Sequence, residues 1–191
     1  AALLATGAIT RMGKVEDGNT TSDYDKMEIE KKHSINTTLV PVEYQGYKYN
    51  FLDTPGLFDF KGEIRSALST AASSIMVDAS AGVQVGTEKA WEECSKHKNP
   101  KFIVLTKIDK ENVDVDKVVA QLREKFGNSV VTDDDKDALN EAVAGTDEAL
   151  MEKFFNEEPF TDEEFYNGLM NGIATGDVVP IIKMSSKTGE G

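Results

Sequence analysis

The chain has a single cysteine, Cys94, in 191 residues. No disulfide can form within it, and one thiol fits a reducing, cytoplasmic setting. Its apolar residues never run on: no stretch approaches the ~20 consecutive positions of a membrane helix, and no signal sequence is visible. The chain opens at Ala1 rather than at an initiator Met. Aromatic residues are sparse at 8%, yet a hydrophobic content of 39% is enough for one core, and the length suits one domain with a small insertion. Basic residues are outnumbered, 21 against 34 acids, for a net charge of −13. The deficit is local. Residues 132–164 hold 13 acids and two lysines, a net of −11, which leaves −2 for the rest of the chain. This balance argues against DNA and other nonspecific nucleic-acid binding. The acidic stretch itself reads as a solvated helical face.

Along the chain, Ala1 to Ile9 reads as the remnant of a helix, and Arg11 to Lys32 is polar without a clear period. Thr37 to Tyr44 alternates as a strand does. Gln45-Gly46 then turns tightly into a second strand, Tyr47 to Asp53, so the pair predicts a hairpin. Gly62 to Ser73 has helical spacing, and Ser74 to Asp78 is a short buried strand. A helix from Thr87 to His97 places Ala90, Trp91 and Cys94 on one face. Lys101 to Thr106 is a strand, and Val113 to Phe126 is a helix stopped by Gly127. Beyond Thr132 one acidic helix runs through Leu139, Val143, Leu150 and Phe154 until Pro159 breaks it. Thr161-Asp-Glu-Glu164 is a capping box for a helix to Ile173, and Val178 to Met184 is a last strand. Strands alternating with helices predict an α/β fold with a doubly wound, mostly parallel sheet and helices on both faces.

Three short strings carry chemistry. Asp53-Thr54-Pro55-Gly56 follows the strand at Tyr47 and is expected at the carboxyl end of a buried parallel strand, where doubly wound sheets bind ligands. Thr106-Lys107-Ile108-Asp109 follows the strand at Lys101. Ser185-Ser186-Lys187 follows the last strand. The first resembles the third motif of a GTPase, the second its guanine-reading Asn-Lys-x-Asp with Thr in place of Asn, and the third its fifth motif. Asp59-Phe60, Asp78-Ala79-x-Ala81-Gly82, Thr87-Glu-Lys-Ala-Trp91 and Leu122-Arg-Glu-Lys-Phe126 fall between them. In that order the strings resemble the G domain of elongation factor G, and most of all its elongation-factor-G-like paralogues, over nearly the whole chain. The resemblance implies one G domain across residues 1–191, with 132–176 as an acidic helical insertion.

The same resemblance implies residue roles. Ser34, in the string Lys31-Lys-His-Ser-Ile35, takes the switch I position and binds Mg²⁺ through a hard hydroxyl oxygen. Asp53 meets the Mg²⁺ shell through water, and the Gly56 amide meets the γ-phosphate. Asp109 accepts hydrogen bonds from guanine N1 and N2, which adenine cannot supply, while Lys107 lays its aliphatic stem along the base. Thr54, Pro55, Thr106, Ser185, Ser186 and Lys187 complete the nucleotide set, with an amide of the fifth motif facing guanine O6. GTP or GDP and Mg²⁺ are the implied cofactors. The implied partner is the ribosome, reached by a monomer that touches neither DNA nor membrane.

Departures from the pattern shape what is expected. The P-loop string Gly-x-x-x-x-Gly-Lys-Ser/Thr does not occur, nor does the strand that precedes it, which is central in this fold. Its loss would leave neighbouring strands with unpaired edges, so a partial G domain is expected. Leu57 stands where translational GTPases carry a catalytic His and offers no hydrogen bond to water. His33 in the switch is a weak substitute, and His97 reads as structural. GTP hydrolysis that drives ribosomal translocation, or a related ribosome step, is the leading function. A degenerate or regulatory GTP-binding module, and a ribosomal protection GTPase of the tetracycline-resistance type, stand as alternatives. A receiver-like phosphoacceptor leaves Thr106-Lys-Ile-Asp109 unexplained.

Overall fold

The computed structural model describes residues 2–191. The chain divides into two compact units, residues 1–71 and 72–191.

In the first unit, helix α1 (Ala2–Ala5) is one short turn, and α2 spans Lys26–Lys31. The second helix starts where the sequence shows no period. Asp25 caps it by accepting from the Met27 N–H at 2.8 Å, and Glu28 answers by accepting from the Asp25 N–H at 3.2 Å. That reciprocal pair supplies partners for amides that a helix start leaves unpaired. Strands β1 (Thr38–Tyr44) and β2 (Tyr47–Asp53) pair antiparallel from Thr38↔Asp53 to Tyr44↔Tyr47. Gln45 and Gly46 both have positive φ, 48° and 81°. A two-residue turn of that kind matches the right-handed twist of the strands it joins. Tyr47, Tyr49 and Phe51 share one face of β2, with ring centroids 6.5 and 6.4 Å apart. A 3₁₀ turn (Phe58–Phe60) leads into α3 (Lys61–Leu68), which ends before the expected Ser73.

The hairpin overturns one expectation. Asp53 does not end a buried parallel strand: β2 pairs only with β1 among the described residues, and most of its side chains are exposed. Its alternation of aromatic with Lys48 and Asn50 is the pattern of a two-stranded ribbon with unlike faces.

The second unit is built on β3 (Ser73–Asp78), β4 (Lys101–Thr106), β5 (Val130–Thr132) and β6 (Val179–Lys183). They form one parallel sheet in the order β3-β4-β6-β5, with β3 at an edge. Helix α4 (Val85–Lys96) joins β3 to β4, and α5 (Val115–Phe126) joins β4 to β5. The return from β5 to β6 runs through α6 (Lys136–Ala144), α7 (Glu148–Phe155) and α8 (Asp162–Thr175). Because parallel crossovers are right-handed, reversing the direction of travel puts this return on the opposite face from α4 and α5. Ile103, Leu105, Leu122, Val130, Val143 and Val179 lie at the centre with no exposed surface. On α5, Val118, Val119 and Leu122 form the buried stripe of an amphipathic helix, capped at its start by Asp114 and ended at Gly127. Phe126 stacks on Trp91 of α4 at 4.4 Å, and the Lys101 ammonium sits 4.9 Å from the Trp91 ring centre.

The acidic stretch is two helices rather than one. Gly145 and Thr146 interrupt it, and the Asp147 carboxylate starts α7 by accepting from the Ala149 N–H at 2.8 Å. Thr132 belongs to β5, and the capping box at Thr161 and Glu164 starts α8 as expected. The charged face is solvated, yet α8 also packs closely through two buried glycines, Gly168 against Val143 and Leu150 and Gly172 against Thr146 and Val178. A methyl group on Gly172 would come within 2.5 Å of Val178 Cγ2 and 2.8 Å of Thr146 Cγ2. Overpacking of about 1–3 kcal/mol then exceeds the ~1 kcal/mol that alanine gains as a helix former. Gly172→Ala is therefore expected to lower the urea midpoint without changing the slope of the transition. An unchanged midpoint would refute close packing of α8 here.

Candidate functional site

The parallel register of Ile103↔Ile181, Val104↔Ile182 and Leu105↔Lys183 carries β4 and β6 out of the sheet side by side. The Met184 N–H extends that pairing to the Leu105 carbonyl at 2.9 Å. Both carboxyl-terminal turns thus land together, and residues 76 positions apart in sequence meet: the Ser185 hydroxyl donates to Asp109 Oδ1 at 2.6 Å. Ser185 is 1% exposed. Its Oγ also accepts from the Thr188 N–H at 3.1 Å and the Lys187 N–H at 3.3 Å. Its own N–H donates to the Glu190 carbonyl at 2.8 Å. A buried hydroxyl with every capacity engaged is a rigid support. The Ser185 hydroxyl, with Lys187 and Lys110 nearby, holds the Asp109 carboxyl below the usual carboxylate range against some desolvation. Asp109 is therefore ionised at neutral pH. A carboxylate has about four lone-pair directions, so after the serine it retains acceptor capacity for a planar pair of donors.

Lys107 adopts a left-handed backbone, φ 60°, at the start of the turn, which is closed by the Lys110 N–H to the Lys107 carbonyl at 3.2 Å. Thr106 turns its hydroxyl back into the sheet, donating to the Val77 carbonyl of β3 at 3.1 Å. This is the physical content of Thr in place of Asn: its hydrogen bond stiffens the β3–β4 edge. Ser186 and Lys187 are exposed beside Ser185.

The remaining site residues fall in residues 1–71. The Ser34 hydroxyl donates to Asp23 Oδ1 at 2.6 Å. His33 lies with its ring 5.9 Å from that of Phe60, and its Nδ1 is 3.2 Å from the Ser34 carbonyl. Behind them Glu28, 2% exposed, accepts from the Ile35 N–H at 2.9 Å and the Asn36 N–H at 3.0 Å. Glu63 takes the Thr37 N–H at 2.8 Å. Two carboxylates thus hold the backbone of the switch-like segment. Asp53 and Gly56 are exposed, Thr54 is half-buried and Pro55 is buried. Leu57 is 45% exposed. No residue of that turn shares the Ser34–Asp23 hydrogen bond. His97 caps the end of α4, its N–H donating to the Glu93 carbonyl at 3.2 Å, which fits the structural reading.

Asp23 and Glu63 carry no local signal in the sequence; Glu28 has one in its spacing of three from Asp25, and Asp78 opens a family-like string that by itself assigns it no role. As for the implied groups, the Ser34 hydroxyl beside the Asp23 carboxylate is a pair of hard oxygens of the kind Mg²⁺ takes. The Asp109 carboxylate fits a base edge that presents two donors. For the phosphates, the Gly56 amide is the one group that the motifs contribute.

Parallel α/β sheets bind their ligands beyond the carboxyl ends of the strands, and here those ends converge on an ionised, braced carboxylate. Over residues 1–191 the sequence matches the elongation factor Tu GTP binding domain, and the chain belongs to that family. It is 28% identical over 232 residues to an elongation factor G-like protein of Mycobacterium tuberculosis, covering 100% of this chain and 32% of that protein. It is 28% identical over 204 residues to the tetracycline resistance protein TetO of Campylobacter jejuni, covering 99% of this chain and 32% of that protein. A crystal structure of a Thermus thermophilus protein superposes with a TM-score of 0.87 at 28% identity, over 97% of this chain and 34% of that one. The chain thus spans about a third of the length of these relatives. Among the described residues, no helix is long and apolar enough to cross a membrane.

The Glu28 brace has a pH signature. Burial pushes its pKa up, but the Asn36, Ile35 and Asp25 N–H donors and His33 outweigh that, leaving it below the ordinary 4.5. A depressed carboxylate contributes stability above its unfolded pKa and loses it as pH falls through the folded value. Glu28→Ala is expected to cost about 1–3 kcal/mol at pH 7, with the gap to the parent protein closing below pH 4.5 in thermal melts. A gap independent of pH would contradict the brace.

Proposed function

We propose that this chain is one partial G domain, with residues 132–176 as an acidic helical insertion, and that it binds GTP and GDP with Mg²⁺. The observation that carries the reading is the Ser185 hydroxyl on Asp109, which joins the fourth and fifth motifs at the ends of β4 and β6. In this reading Asp109 accepts from guanine N1 and N2, Lys107 lies along the base, and Ser186 and Lys187 supply the exposed rim. Ser34 and Asp53 hold the Mg²⁺ shell, and the Gly56 amide faces the γ-phosphate. Mg²⁺ supplies charge neutralisation at the phosphates when bound. The longer protein acts on the ribosome as a cytoplasmic monomer, hydrolysing GTP in translocation or a related step. What supports this is the family and the elongation factor G-like and TetO relatives. The similarity to a tetracycline resistance protein supports the tetracycline-resistance-type alternative as the step served.

Asp109→Asn replaces an acceptor with a donor, the wrong partner for guanine and the right one for the C2 carbonyl of xanthine. GDP affinity is expected to fall by about 10- to 100-fold and xanthosine diphosphate affinity to rise. Unchanged GDP binding would sink the base-reading role.

Leu57 favours a second reading, a GTP-binding module with little hydrolysis, because a half-exposed leucine cannot orient water. Leu57→His in the protein carrying this domain is expected to raise ribosome-stimulated phosphate release on the order of 10²-fold, the scale of a positioned general base. If the parent protein already releases phosphate as fast as the variant, the low-hydrolysis reading falls.

A further inference from the structure

Asp78, at the end of β3, is bonded in two directions. Its Oδ1 accepts from the Ser80 N–H at 2.9 Å and the Ser80 hydroxyl at 2.6 Å. Its Oδ2 takes the Lys107 ammonium at 2.5 Å, with the Lys110 ammonium 3.9 Å away. Lys110 in turn donates to Ser80 Oγ at 2.9 Å. Beneath them the Ala79 N–H donates to the Thr106 carbonyl at 2.9 Å, continuing the ladder between the two strands. Two lysines of the turn after β4 are therefore strapped to the turn after β3. The Lys107 contact comes first and Ser80 second in holding the Asp78 carboxyl far below its ordinary range, so it stays ionised.

A lysine side chain has as much rotamer freedom to lose on ordering as any. One already tethered by its ammonium binds a flat ring at lower entropic cost. We propose that Asp78 is a positioning residue of the base pocket: its Oδ2 anchors the Lys107 ammonium so that the lysine stem is laid out beforehand as a platform for the purine face. This rests on the base-binding role given to Lys107 and Asp109 above. It differs from the role of Asp109 in its chemistry. Asp109 reads the donors of guanine, whereas a stem against the ring face is indifferent to whether the purine is guanine, hypoxanthine or xanthine.

The test is the dissociation constants of GDP, inosine diphosphate and xanthosine diphosphate for the full protein and its Asp78→Asn, Lys107→Met and doubly substituted forms. Asp78→Asn keeps Oδ1 for Ser80 and replaces only the oxygen that faces Lys107. Lys107→Met keeps the stem and removes the ammonium. The tie joins two partly exposed groups, 51% and 30% exposed. Each single change is therefore expected to weaken all three nucleotides by the same factor, about two- to fivefold. The double form should be no weaker than either single, the signature of one shared interaction. Additive losses, an effect confined to one base, or no loss would overturn the inference. Should Asp78→Asn fail to fold, Lys107→Met alone reads the tie: an equal loss for the three bases supports it and no loss overturns it. Asp109→Asn measured alongside separates the two ideas. If it changes the preference between guanine and xanthine while the other pair add, only the positioning role falls. If it leaves that preference unchanged, the base pocket itself is misassigned and the positioning role falls with it.

Discussion

The position of β4 between β3 and β6 is the constraint from which the second unit follows. Ile103 and Leu105 have no exposed surface, so β4 has to be covered on both faces and flanked on both edges. Parallel pairing on each edge aligns three strand ends in one direction. Asp78, Asp109 and Ser185 all leave from those ends. A parallel sheet thus gathers polar groups from distant parts of the chain at one rim, without any of them having to enter the core. Buried apolar strands set the geometry, and hydrogen bonds beyond the last paired residue refine it.

Carboxylates do the local ordering in both units. Glu28 and Glu63 collect backbone N–H groups around the Ser34 segment, and Asp78 collects two ammonium groups and a hydroxyl. Each has its pKa lowered by the partners it has gathered. An unpaired buried donor is costly, so a loop held in this way has fewer alternatives than its polar composition indicates. The acidic excess of the chain lies elsewhere, on α6 to α8. Most of that charge is solvated, while the Asp135, Asp147 and Thr161–Glu164 caps and the Asp135–Arg123 and Asp134–Lys183 pairs turn part of it to structural use.

The departures from the family pattern also divide by physics. Thr106 in place of Asn has a clear local role, because its hydroxyl reaches the Val77 carbonyl of the neighbouring strand. Leu57 has none: it is half-exposed. Among the described residues, β2 pairs on one side only and β3 is an edge strand of its own sheet.

By itself, the sequence determined the elements whose signals are local. The hairpin turn at Gln45-Gly46, β4 at Lys101–Thr106, α5 with its stop at Gly127 and the capping box at Thr161 all depend on neighbours within a few residues. The three motifs were legible too, because each is a short string at a strand end. Helix α2 was hidden because its six residues are too few to show a period. The break at Gly145 was hidden because apolar spacing continues across it. Only the tertiary structure decided that β2 has β1 as its sole partner among the described residues, that Ser185 supports Asp109, and that Asp78 holds Lys107. The last two contacts span 76 and 29 positions. Strand pairing creates them, and no local preference of the chain encodes a partner at that distance.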